Sequence, residues 1–252
     1  MRNLKSQGAK ELADIKEKEK LDIDIFELDV TDQKSVDQGM KEILAKHPNI
    51  DVLINNAGLG YMGPVEEFEI DEIKQQFDTN VFGAMRMFKK VAPLMRQRHQ
   101  GMIINISSIC GLISTPLYGV YSASKFALEA LSEASLAELK PFGVKVAVVE
   151  PGTFATRFSN NLKFPQSLKS INESPYFGLM DKFVKGTKTI INKIVSRLGN
   201  SEKVAKLIYK IANQENPRLR NVIGMDAKTY LIIRRILGQN LWMKLLSRVY
   251  QW

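Results

Sequence analysis

DVLINNAG, residues 51–58, is an unbroken apolar run closed by Asn and Gly. A strand buried on both faces reads this way, because a parallel sheet covered by helices needs no polar alternation. Working outward, MIINISS (102–108) and VKVAVVEPG (144–152) repeat the pattern, and RNVIGM (220–225) is a shorter version of it. Upstream, FELDV (26–30) reads as a short strand that ends in an acid followed by Val30. Helical periodicity fills the intervals. It begins at about Gln33, with Val36, Met40, Ile43 and Leu44 on one face, continues over 66–99 with an interruption near Asn80, and returns over 118–140. Strands alternating with helices predict an α/β fold, a doubly wound parallel sheet with helices on both faces. Right-handed crossovers then bring the C-terminal ends of the strands to one edge, where such sheets bind ligands.

The bulk properties agree. The 252 residues are 44% hydrophobic and 25% charged, the composition of a globular chain with a real core. One cysteine, Cys110, excludes an internal disulfide, and two histidines leave little for a structural zinc site. The start, MRNLKSQGAKELADIKEKEK, has no apolar segment of the signal-peptide kind, and no run is long enough to span a membrane. A cytoplasmic location is the expectation. Charge is uneven: residues 1–158 hold 19 Lys/Arg against 22 Asp/Glu, whereas 159–252 hold 17 against 5. That basic bias is consistent with a solvated surface, an anionic membrane surface or an acidic partner. No nucleic-acid motif accompanies it.

Residues 159–200, rich in Lys, Ser and Asn with Phe164, Tyr176, Phe177 and Phe183 interspersed, read as a mobile insertion over the site. Residues 1–225 are then one incomplete domain, and 226–252 an amphipathic C-terminal extension. Within it, TYLIIRRILGQNLWMKLLSRVYQW (229–252) predicts one or two helices able to meet a membrane, a partner subunit or the chain's own domain.

Chemistry concentrates at the strand ends. Tyr121 and Lys125 stand at i and i+4 on one helix face. An ammonium there favours the phenolate, so the pair can exchange a proton with an alcohol or carbonyl oxygen. Ser107 and Ser108 close one strand at the ligand edge, and Asn55-Asn56-Ala57-Gly58 closes another. A hydroxyl at Ser108 can hold a substrate oxygen. Asn80 sits inside a helix, where its amide competes with the backbone.

From about Phe26 to Ile223 these residues resemble the short-chain dehydrogenase/reductase family, whose sheet is Rossmann-like. The resemblance makes Asn80, Ser108, Tyr121 and Lys125 the catalytic tetrad. Tyr121 would be the acid/base, Lys125 would lower its pKa and hold the nicotinamide ribose, Ser108 would orient the carbonyl, and Asn80 would position a water. It also assigns Asp29 and Val30 to adenine, Asn56, Ala57 and Gly58 to the cofactor border, and Pro151, Gly152, Phe154 and Thr156 to the nicotinamide loop. Arg2, placed where family members bind a 2′-phosphate, points to NADP, with NAD as the alternative. The implied reaction interconverts an alcohol and a ketone or aldehyde. The aromatic and aliphatic residues of 159–200 and of the tail favour a small lipophilic substrate, and a homo-oligomer is one expectation for assembly.

The family's opening segment, TGxxxGxG, is not found ahead of LDVTD (28–32), where Gly8 is the only glycine. The expectation is therefore a chain whose first two strands are missing, with DVLIN left at the sheet's edge and FELDV either standing apart from the sheet or paired with DVLIN by a rearrangement. The competing reading is an inactive remnant that binds no cofactor and at most contacts a membrane or partner. Gly58, Gly60 and Gly63 spell GxGxxG, but Pro64 follows and no helix opens, so they read as a loop beside the substrate.

Overall fold

The computed structural model describes residues 2–156, 158, 161–167, 174–183 and 199–250. The first helix, α1 (Gln7–Glu19), is capped by Ser6, whose hydroxyl accepts from the Ala9 N–H at 3.3 Å. In α2 (Gln33–Lys46) the cap is Asp32, which accepts from Lys34. Oxygens at both caps satisfy N–H groups that have no partner inside the helix. The sheet strands are β1 (Val52–Asn55), β2 (Gly101–Ile106) and β3 (Val144–Pro151). Between β1 and β2 run α3 (Ile70–Phe77), a π-turn over Asp78–Phe82 and α4 (Gly83–Gln97), and between β2 and β3 runs α5 (Gly119–Leu139). The remaining elements are a two-residue pair, β4 (Phe154–Ala155) with β5 (Gly199–Asn200), then α6 (Ser201–Ala212), β6 (Arg220–Ile223) and α7 (Met225–Tyr250).

The four long strands pair in the order β1-β2-β3-β6, all parallel. Alternate residues feed opposite layers, as the period of two requires. Ile103 and Val146 enter a core with Val36, Met40, Val91 and Met95, from α2 and α4. Met102, Ile104, Ala147 and Val149 enter a second core with Ile211 of α6. Helices therefore cover both faces, as the continuous apolar strands predict. Gly143, at φ 69°, turns the chain from α5 into β3, and a Cβ there would lie 2.5 Å from the His99 carbonyl. The left-handed backbone and the contact both favour glycine.

FELDV needs correction as a strand. Residues 21–29 form neither helix nor ladder. Leu28 packs against the α2–α4 core instead, and a Cβ on Gly39 would lie 2.9 Å from its Cδ1. The segment stands apart from the sheet, as expected, and β1 is an edge strand. A cleft of about 130 Å³ separates them, walled by Leu28 and Val30 on one side and by Leu53, Ile54 and Asn55 on the other. Within the 159–200 segment, 161–167 and 174–183 cover the ligand edge, with Met180 and Phe183 packed on Met62 and Leu117, and 199–200 form β5. The rest of that segment lies outside the described residues. The tail is two helical stretches from Met225, joined at Gly238, which has non-helical angles. Its final residues, Gln251 and Trp252, also lie outside the description.

Candidate active site

The C-terminal end of β2 and the first turns of α5 build the centre of the site. Ser108 follows β2 and caps a 3-10 turn, its Oγ accepting from the Cys110 N–H at 3.1 Å. Tyr121 and Lys125 face it from α5, only 7% and 4% exposed. The Ser108 hydroxyl lies close enough to the Tyr121 phenol to draw its pKa down. The Lys125 ammonium donates to the Ile106 carbonyl at 2.8 Å and lies 5.9 Å from the centre of the Tyr121 ring. The helix spacing thus places three tetrad members together.

The electrostatics differ from the sequence reading. Burial pushes the Tyr121 phenol above its ordinary value, Cys110 adds to the shift, the Ser108 hydroxyl opposes it, and Tyr118 adds again. Lys125 is not among the causes. Burial brings Lys125 itself down to about 8, against the pull of Cys110 and Glu129. The correction has a simple origin: both groups are desolvated, and the ammonium bonds a carbonyl of β2 rather than the phenol.

Asn80 occupies the π-turn, the interruption expected from its sequence. Its Nδ2 donates to Ser124 Oγ and to the Leu59 carbonyl, both at 3.0 Å, and its Oδ1 accepts from the Leu59 N–H at 2.8 Å. Both amide hydrogens are therefore used to tie the loop after β1 to α5. Ser124, three residues beyond Tyr121 on the same helix, was missed in the sequence, although its position on that face is the signal. A side-chain ladder supports the same edge, with Asn55 donating to Asn105 and Asn105 to Ser132, each at 2.8 Å.

Asn56, Ala57 and Gly58 are exposed at the sheet edge, and a Cβ on Gly58 would meet nothing nearer than Asn80 Oδ1 at 3.8 Å. Gly60 and Gly63 instead close on Phe158 and Pro165, in keeping with a loop bordering the substrate. The Pro151–Thr156 loop is anchored from two sides. Gly152 N–H donates to the Ile223 carbonyl at 2.8 Å, and Thr153 N–H donates to Asp226 Oδ2 at 2.6 Å. A Cβ on Gly152 would lie 2.3 Å from Asp226 Oδ1, so only glycine admits that carboxylate. Asp226 was also missed, and its signal is an acid in the first turn of a helix, two residues after Gly224. Phe154 is buried in β4, and exposed Thr156 accepts from the Phe158 N–H at 3.3 Å.

The remaining expected residues are elsewhere. Asp29 accepts from the Thr31 N–H and hydroxyl in a turn leading into α2. Val30 packs on Gly83 and lends its carbonyl to Arg86. Arg2 is exposed ahead of α1, with no hydrogen bond or ion pair among the described residues. The structure does not bring it to the Tyr121 group.

Beneath Lys125 lies a polar cluster with no counterpart in the sequence reading. Buried Glu129 and exposed Glu133 share Arg220, at 3.1 and 2.6 Å. Glu150 is 0% exposed and accepts from the Asn221 N–H at 2.6 Å. Burial first, then the charge of Glu129, pushes it up to about 8.

These residues could hold the nicotinamide–ribose half of a dinucleotide: a buried ammonium, an open glycine at Gly58 and an anchored loop at 151–156. Among the described residues no glycine-rich loop cradles a pyrophosphate, and Gly8 is inside α1. The family model for short chain dehydrogenases matches residues 2–166. The chain belongs to the short-chain dehydrogenase family. It is therefore an oxidoreductase by family, with that family's Rossmann-like parallel fold. It is 41% identical over 197 residues to a 3-ketodihydrosphingosine reductase of Bacteroides thetaiotaomicron, covering 78% of this chain and 71% of the relative. A short-chain dehydrogenase from Streptomyces avermitilis superposes with TM-score 0.77 at 33% identity, over 98% of this chain and 86% of that one. A gluconate 5-dehydrogenase from Burkholderia cenocepacia, solved with NADP and tartrate, superposes with TM-score 0.58 at 27% identity, over 72% and 68%.

Proposed function

We propose that the chain uses NADPH to reduce a lipophilic ketone or aldehyde to an alcohol, with Tyr121 as the proton donor. The observation that carries this reading is the convergence of Tyr121, Ser108 and Lys125 at one end of β2 and α5. A bound nicotinamide supplies the hydride. Ser108 holds the carbonyl oxygen, and Tyr121 gives its proton to the alkoxide that develops there. Lys125 offers its ammonium to the ribose hydroxyls and, once the phenol has given up its proton, to the phenolate charge. Asn80 holds the Leu59 loop against α5, and the expected water link to Lys125 runs through its remaining Oδ1 lone pair.

An apolar substrate is favoured by the walls. Tyr118 and Phe158 flank the Tyr121 ring at 6.2 and 5.5 Å, and Phe183 lies 6.0 Å beyond Tyr118. The 3-ketodihydrosphingosine reductase is named for a substrate of this kind. Incubation with NADPH and a long-chain 3-keto compound, followed by NADPH absorbance and product analysis, tests the reading. Tyr121→Phe is expected to lower kcat by about 10²–10⁴. Near-equal turnover removes Tyr121 from the role. NADPH over NADH rests on Arg2 and on the NADP-bound relative. Arg2→Glu is expected to erase that preference, and an enzyme that favours NADH from the start refutes it.

A further inference from the structure

The helix α7 presents two faces of different fate. Its inner face is mounted on the turn that follows Ser108: Ala227, Trp242 and Leu246 are buried with Ile109 and Ile113. Arg234 donates to the Leu112 carbonyl. On the outer face, Met225, Ile232 and Ile236 recur at helical spacing and are strongly exposed, Ile232 at 59% and Ile236 at 77%. Lys228 and Arg235 flank that apolar line on one side. Beyond the bend at Gly238 the pattern resumes with exposed Leu241, Lys244 and Arg248.

Single exposed aliphatic residues are ordinary on a protein surface; a stripe of them edged with one sign of charge is not. From Ala227 to Arg248 there is no Asp or Glu. Among the described residues none of Lys228, Arg235, Lys244 and Arg248 forms an ion pair. We propose that the outer face of α7 seats on an anionic lipid bilayer, its aliphatic residues entering the headgroup boundary and its cations meeting lipid phosphates and carboxylates. A helix in this position lies in the interface plane. Spanning is excluded for it, since no described helix is long and apolar enough to cross a membrane. A second copy is the weaker occupant, because a symmetric contact would oppose two sets of four cations with no carboxylate between them. Seated in this way, α7 would hold the Ser108 turn at the membrane surface, where lipophilic substrates partition.

The proposal stands on α7 alone and needs neither cofactor nor turnover. The full chain is sedimented with phosphatidylcholine vesicles, with and without phosphatidylserine, at low and high salt. Binding is expected only with phosphatidylserine and is expected to weaken with salt. Ile232→Asn with Ile236→Asn should lower the partition coefficient by about tenfold or more. Lys228→Gln with Arg235→Gln should lower it about tenfold on the anionic vesicles alone. Unchanged thermal unfolding shows that the variants are folded, and the charge pair carries the test should the Asn pair fail to fold. No binding, equal binding to both vesicle types, or unchanged binding by a folded variant overturns the proposal. So does a dimer in size-exclusion chromatography that either variant dissociates, which assigns the face to a second copy.

Discussion

On its β3 side the sheet is extended and packed: β6 pairs with β3, Arg220 links β6 to α5, and Ile103, Ile104, Val146 and Val148 are fully buried. On its β1 side it is open: Ile54 is 44% exposed, and a cleft takes the place of a neighbouring strand. The strand sequences are equally apolar, so composition does not separate the two sides. What separates them is whether a further layer covers the strand. The proton-handling residues Ser108, Tyr121 and Lys125 grow from the extended side, where packing can hold side chains in fixed positions. The open side keeps its exposed backbone at Asn56–Gly58, within reach of a ligand.

The largest expected contrast is in stability. Ile103→Ala removes a fully buried side chain between two covered layers and should cost about 2–5 kcal/mol, whereas Ile54→Ala on the open strand should cost less than about 1 kcal/mol. Equal losses in urea unfolding would mean that the β1 side is covered in solution. A second contrast is proton-linked. Glu150 keeps its proton in the folded chain up to about 8, whereas unfolded it ionises near the ordinary glutamate value of 4.5. Its contribution is present below the lower value and lost as pH rises through the upper one. Stability should therefore fall across that window by on the order of a few kcal/mol, and Glu150→Gln should flatten the fall. Thermal unfolding of both proteins between those limits checks this, and parallel slopes would refute it. The smallest effect belongs to Asp226. Asp226→Ala frees Thr153 N–H and loosens the 151–156 loop, so the KM for NADPH should rise about tenfold, roughly 1.4 kcal/mol, with a smaller change in kcat. An unchanged KM would show that the loop is set without this carboxylate.

Local spacing determined much of this protein. The continuous apolar runs at β1, β2 and β3 predicted buried parallel strands, and the i, i+4 step placed Tyr121 with Lys125. The misfit of Asn80 with its helix marked the π-turn. Such features depend on residues close together in the chain, so sequence carries them. Tertiary structure alone decided the rest. FELDV has strand composition, yet a strand exists only through its neighbour, and Leu28 packs on α2 and α4 instead. Lys125 follows Tyr121 at the right interval, yet the sign of the phenol's shift was set by how many layers exclude water from both groups. Glu129, Glu150 and Arg220 come from three separate elements, up to 91 residues apart, and nothing in their sequence spacing announces that folding brings them together and buries both carboxylates. Desolvation is a property of the assembled layers, and so it is legible only when the chain has folded.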